Sequence, residues 1–342
     1  MKSVKIIGKA NLEVVDVPIP EPGDGEVLIQ MKASALCRSD LHKYHGQAVF
    51  EDDDKKENIT PGHEPCGVVA KLGPNVKSVK IGDRVAIYLA MGCGECEYCL
   101  SGNTMLCHQF RCLGFDHNGA HADYIVIPEY NCLPLPDEMS FVEGALSTDV
   151  GGTLYTACKR LGVDGSKTVA VFGVGPMGCG GVLMAKGFGA TVIAVDLDEK
   201  RLELAKELGA DYVINPLNED CVKKIKELTG GRGADISIEC SGNNKAQNNA
   251  LDCTKGLGEV GFIGESKSAA INPSDQFLRK LLSLKGCWYF SRADWNELTD
   301  FIIKKKIKLE KISSNTFPIE KAADAFRLFD SHSVQKVVFI WD

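Results

Sequence analysis

Four cysteines fall within fifteen residues, at Cys93, Cys96, Cys99 and Cys107, in the run CGECEYCLSGNTMLC. Thiolates at this density hold a metal, form disulfides or make a redox centre. Four sulfur ligands complete a tetrahedral zinc sphere and leave no position for water or substrate, so this cluster reads as a structural zinc site. An iron–sulfur cluster also takes four cysteines. However, the seven residues between Cys99 and Cys107 depart from ferredoxin spacing, and no second cluster motif accompanies them.

A second set of metal-ligand types is dispersed. LCRSDLH places Cys37 beside Ser39, Asp40 and His42, and PGHEPCG brings His63 and Glu64. A catalytic zinc needs three protein ligands and an open fourth position. Cys37 and His63 can provide two of them; spacing alone does not identify the third.

A third set could bind phosphate. Gly173, Gly175, Pro176, Met177 and Gly178 lie in a G-x-G-x-x-G that follows an apolar β-branched run and opens a helical one. That context makes it a dinucleotide fingerprint: a tight turn, a close backbone approach to the pyrophosphate, and close helix–strand packing. Asp196 stands 18 residues beyond Gly178, where a carboxylate accepts from ribose hydroxyls and repels a 2′-phosphate. NAD is therefore expected over NADP, although Arg201 nearby is a residue type that can accommodate that phosphate.

The elements around these residues divide the chain. Up to about residue 145, short β-like runs such as EVLIQMKASAL, CGVVAKLG, DRVAIYLA and HADYIVIP alternate with turn signals, which predicts a mostly antiparallel β domain. From Asp149 to Gly286 strands alternate with helices (TVAVFG, PMGCGGVLMAKGFG, TVIAVD, EKRLELAKELG and onward), so a doubly wound parallel α/β sheet is expected. Two helical patterns and a last strand, KVVFIWD, close the chain. The run FEDDDKKEN at 50–58, with Asp52 to Asp54, reads as a solvated loop that could border a substrate entrance.

Composition bounds the function. The chain has 342 residues, 44% hydrophobic and 25% charged, with a formal net charge of −7, so no electrostatic footprint for nucleic acid is present. Val169 to Ala185 is apolar but carries five glycines and a proline, which predicts a strand, turn and buried helix rather than a membrane span. No signal peptide is read at the N-terminus, and 14 cysteines in such a chain favour a reducing, cytoplasmic setting.

Taken together, Cys37 with Ser39 and His42, the GHE at 62–64, GDRV at 82–85, the four-cysteine lobe, GVGPMG and the terminal KVVFIWD resemble a zinc-dependent medium-chain dehydrogenase, of the alcohol, polyol and threonine dehydrogenase superfamily. The resemblance covers essentially the whole chain. It implies a GroES-like catalytic domain over 1–148 and 287–342, carrying the structural zinc lobe at 93–107, and a Rossmann NAD-binding domain over 149–286. It implies two zinc ions per subunit, a small alcohol or ketone substrate and a homo-oligomer, dimer or tetramer. The family's third catalytic-zinc ligand corresponds to Asp149, Glu64 to a carboxylate that binds zinc when the metal shifts, and Asp40 to a carboxylate orienting the zinc-bound histidine. Arg38 stands where alcohol dehydrogenases carry an arginine that meets the pyrophosphate, and polyol and threonine enzymes usually carry glycine.

The expected chemistry is hydride transfer from a secondary alcohol to NAD, with zinc polarising the hydroxyl, Ser39 taking its proton and His42 receiving that proton by way of the ribose hydroxyls. Pocket walls are expected from the 43–60 loop, the surroundings of Phe115 and the 288–295 tail, with Ser291 and Arg292 approaching cofactor or substrate. A simple alcohol dehydrogenase is the nearest alternative, then a zinc-independent reductase of the same fold, a catalytically silent relative, and a zinc-ribbon binding protein. The last is opposed by the negative charge and the complete dinucleotide fingerprint.

Overall fold

The computed structural model describes residues 1–47 and 59–342, and the acidic run 50–58 lies outside the described residues. The chain forms two compact units. The first comprises Met1–Asp149, Ser291–Thr299 and Leu309–Asp342; the second comprises Val150–Phe290 and Asp300–Lys308.

The first unit is built on a seven-stranded sheet whose long central strand is Glu26–Ala35. This strand pairs antiparallel with Glu64–Leu72 on one side and with Lys336–Ile340 and Tyr124–Pro128 on the other. The registers matter for chemistry. Ala35 stands opposite Glu64 on one edge and Val338 on the other, so segments far apart in sequence converge at residue 35. Seven of its ten residues are buried, and Glu26, Gln30 and Lys32 take the three half-buried positions. A core of Val4, Leu36, Tyr44, Phe326 and Phe339 backs this end of the sheet.

The second unit holds six parallel strands in the order Tyr212–Ile214, Thr191–Val195, Thr168–Phe172, Ala234–Glu239, Thr254–Phe262, Ser283–Gly286. The strand order reverses beside Thr168–Phe172, and ligands bind outside the carboxyl ends of strands at such a switch point. Helices follow the strands, with Asp198, Asp220 and Asn243 each accepting amide hydrogen bonds at a helix start. The sixth strand, SLKG, was not expected from the pattern. It is short and mostly exposed and has neither apolar alternation nor β-branching.

The domain limits differ from the sequence expectation of 149–286 against 1–148 and 287–342. Asp149 counts with the first unit and Phe290 with the second, where the Phe290 ring presses on Gly152 and leaves no room there for a Cβ. The helix Trp295–Lys305 is shared. Trp295 Nε1 donates to the Pro134 carbonyl at 2.7 Å, whereas the Phe301 ring lies tilted against Tyr155 and Phe188, with centroids 5.2 Å and 4.6 Å away. Val169–Ala185 divides between a strand and the helix Pro176–Gly187, and no helix among the described residues is long and apolar enough to cross a membrane.

Candidate metal centre and nucleotide site

Cys37 follows the central strand and caps the short helix Arg38–Tyr44 in extended conformation. Asp40, at the third helical position, accepts from the Cys37 amide at 2.8 Å and so fixes the turn that carries the thiol. His63 and Glu64 enter at the head of the neighbouring strand. Asp149 lies in a π-helical turn, Ser147–Gly151, between the helices Phe141–Leu146 and Gly152–Leu161; such an extra-residue turn is a frequent device for aiming a side chain. One ligand atom each from Cys37, His63, Glu64 and Asp149 lie within 4.8 Å of one another. Cys37 Sγ is 3.5 Å from Asp149 Oδ2.

Outer contacts orient this set. His63 Nδ1 lies 3.3 Å from Asp40 Oδ1, which leaves Nε2 as the nitrogen facing the other donors. Ser39 Oγ is 3.3 Å from that Nε2, and the Phe115 ring packs 5.2 Å from the imidazole. Gly62 is required at its position: its φ is +100°, and a Cβ would meet the His121 ring at 2.5 Å. His121 is fully buried, bonded to Ser34 Oγ at 2.9 Å and 3.9 Å from Asp40.

The charges are strongly coupled. Burial raises the Cys37 thiol, but the Lys336 ammonium and His63 outweigh burial and Asp149, leaving it below its ordinary value. Burial lowers His63, yet the Asp40 carboxylate overrides it and holds the imidazole well above its usual range. Asp40 falls well below the carboxylate range for the converse reason, His63 outweighing burial. Glu64 is pushed well up by burial despite its ion pair with Lys336. Its Oε2 is buried with no hydrogen-bond donor among the described residues. A thiol held low, an imidazole and two carboxylates, one of them with an orphaned buried oxygen, are a donor set that fits a divalent metal, zinc in particular.

The cysteine lobe makes a second, closed centre. All four thiols are free of disulfides, and their sulfurs lie within 4.8 Å of one another. Cys93 and Cys107 sulfurs are 3.6 Å apart, close to the roughly 3.8 Å edge of a tetrahedron with 2.3 Å zinc–sulfur bonds. Amides point at the sulfurs, Cys93 and Gln109 N–H at Cys107 and Cys96 N–H at Cys93. The Cys93 amide, with that of Gln109, brings Cys107 down to about 6, whereas burial pushes Cys99 up to about 12.

In the second unit, Gly173 ends the central strand, and Gly175 precedes the helix opened by Pro176 and Met177. A Cβ on Gly178 would meet the Gly173 carbonyl oxygen at 2.0 Å, so this glycine exists for close packing. A Cβ on Gly175 would meet nothing nearer than an Arg201 nitrogen at 3.9 Å; the backbone there faces open space, as a phosphate cradle must. Asp196 accepts from the Val174 amide at 2.8 Å and the Asp198 amide at 3.0 Å, and Arg201 stands 3.9 Å from it. Asp196 thus shapes the glycine turn as well as standing where a ribose is expected.

Residues 23–137 match the alcohol dehydrogenase GroES-like domain, and residues 176–304 match the zinc-binding dehydrogenase domain. The chain is 32% identical to L-threonine 3-dehydrogenase of Pyrococcus horikoshii, over 96% of this chain and 94% of that protein. It belongs to the zinc-dependent medium-chain dehydrogenases. It is also 37% identical to an alcohol dehydrogenase of Geobacillus stearothermophilus, over 88% of this chain and 87% of that one. Among solved structures, an NAD-dependent alcohol dehydrogenase superposes with a TM-score of 0.89 at 31% identity, covering 100% of both chains.

Other expected residues of this dehydrogenase are dispersed. His42 is exposed and 2.8 Å from Gln47 Oε1. Arg38 is exposed, with Nη1 3.3 Å from His332 Nε2. Ser291 and Arg292 are engaged within the first unit: the Arg292 amide donates to Gly102, its Nε to Tyr130 at 2.7 Å, and its guanidinium lies 4.4 Å over the Tyr130 ring. Two residues escaped the sequence reading, His121 and Lys336. The one signal for Lys336 is a cation at the head of an otherwise apolar strand, KVVFI.

Proposed function

We propose that this dehydrogenase uses zinc and NAD to interconvert a secondary alcohol and its ketone, the alcohol being a polyol, an amino-polyol or a 3-hydroxy amino acid. The observation that carries the reading is the convergence of Cys37, His63 and Asp149, with Glu64, on one point. Similarity to a threonine dehydrogenase favours the secondary alcohol. The cysteine lobe is taken to hold the structural zinc, and Gly173, Gly175, Gly178 and Asp196 to hold NAD.

Cys37, His63 and Asp149 would hold the zinc, which would contribute Lewis acidity toward a substrate hydroxyl, and the glycine turn would hold NAD, which would contribute the hydride acceptor. The protein's own work is orientation and proton handling. Asp40 holds His63 in one ring orientation through Nδ1. The Ser39 hydroxyl, beside His63 Nε2, accepts the substrate proton. His42 lies three residues further along the same helix, on the same face; Ser39 would give up its proton by way of the cofactor's ribose hydroxyls to the exposed His42 ring, which releases it to solvent.

Metal analysis and an NAD-reduction screen test the proposal. Purified protein should carry two zinc ions per chain, and Asp149→Ala should carry one and lose at least roughly 100-fold in activity. Wild-type turnover by that variant would exclude Asp149 as a ligand. Screening simple alcohols, sugar alcohols, amino-polyols and threonine reads the substrate class; activity confined to primary alcohols would refute the secondary-alcohol assignment.

A further inference from the structure

Lys336 is a lysine with 1% exposure, at the head of the strand Lys336–Ile340. Its ammonium donates to the Leu36 carbonyl at 2.9 Å, one residue before Cys37, and forms an ion pair with Glu64 Oε1. The other Glu64 oxygen, Oε2, is buried and has no donor among the described residues. A Glu64 oxygen also lies within 4.8 Å of the ligand atoms of Cys37, His63 and Asp149. Glu64 is thus held between a fixed ammonium and the point where the metal ligands converge.

The charges explain why a lysine is buried there. A divalent ion with the Cys37 thiolate and the Asp149 carboxylate is neutral, and the Glu64 carboxylate with Lys336 is neutral. Without the ammonium, Glu64 would be a buried anion drawn to the metal for its compensating charge. It would then complete a four-ligand sphere, and a closed sphere has no room for substrate.

We infer that Lys336 is a positioning residue that restrains Glu64 and thereby keeps the fourth metal position open. This rests on Cys37, His63 and Asp149 being the metal ligands. A lysine that merely supported the fold would, when removed, loosen the metal. Under the restraint, removing it tightens the metal while turnover falls.

The test counts zinc per chain during graded competition with a chelator, then substitutes Co²⁺ and follows its visible spectrum as imidazole is added. In the native protein imidazole enters the open position and changes the spectrum. Lys336→Met should hold the zinc of this centre against roughly tenfold more chelator, show no imidazole response and lose turnover. Lys336→Arg keeps a cation and should restore the response. The double variant Glu64→Gln/Lys336→Met removes both charges; it should bind zinc within about threefold of native and respond to imidazole, and it decides the matter if the single variant does not fold. Weaker or equal metal binding by Lys336→Met, or a double variant that has lost the metal or the response, overturns the restraint. Native protein with a single zinc would instead overturn the ligand assignment itself.

Discussion

Replacing Gly175 by alanine should weaken NAD binding without weakening the fold, whereas replacing Gly178 should weaken the fold itself. The Gly175 backbone sits at φ −66° and ψ −165°, which any residue adopts, and the nearest atom to an added Cβ is 3.9 Å away. Stability should therefore be unchanged or rise by about 0.4–1 kcal/mol, from the smaller entropy of the unfolded chain. The methyl would project into the space where the pyrophosphate approaches the amides. Losing one hydrogen bond to a charged group costs about 1.5–3 kcal/mol, a rise in the NAD dissociation constant of roughly 10- to 150-fold. At Gly178 the added carbon would lie 2.0 Å from the Gly173 carbonyl oxygen, a backbone atom that cannot rotate away. Overpacking there should cost about 1–3 kcal/mol or more and lower Tm by roughly 2–4 °C per kcal/mol. Calorimetric titration with NAD and a thermal scan of both variants read the two effects separately. Native NAD affinity in Gly175→Ala would refute the assignment of that glycine to the phosphate.

Three further outcomes are expected. Asp196→Ala should erode the preference for NAD over NADP and also cut affinity for both cofactors, since the Val174 amide loses its acceptor; unchanged preference in a kinetic comparison would place the ribose elsewhere. Cys107→Ser should reduce zinc from two ions to one per chain while NAD titration of the second unit stays within about twofold of native, and two retained zinc ions would deny the lobe its metal. His121 is held down to about 4, chiefly by burial and with His63 and Lys336 also opposing its charge. Its unfolded form binds the extra proton first, so stability is complete above about pH 6.5 and falls as pH drops towards 4. Between pH 6.5 and 5 this amounts to about 2 kcal/mol. His121→Phe, compared with native protein by urea unfolding at saturating zinc, should lack that loss; an equal slope in both would clear His121.

Much of the site could be read before the fold was known. The cysteine lobe and the glycine turn are local: their ligands and amides lie within one loop or one strand–turn–helix, so residue types and spacing carry the geometry. The parallel α/β unit was legible for the same reason, its strands and helices alternating along the sequence. The short strand Ser283–Gly286 was not, because an exposed four-residue strand leaves no hydrophobic period.

What residue types and spacing determined alone was the presence of two zinc-type donor sets and a dinucleotide turn in a chain of two architectures. Asp149 was reached only through resemblance, since its distance of 112 residues from Cys37 has no local signature. Lys336, 300 residues from the Leu36 carbonyl it binds, had none either. Which strand ends meet is set by pairing register in a buried sheet, and Ala35 lies between Glu64 and Val338 only once three distant strands have packed together. The charge balance of the metal centre, with a buried lysine offsetting a buried glutamate, is therefore a property of the tertiary structure. A carboxylate's partner depends on what lies within a few ångströms of it, and chain order does not specify that.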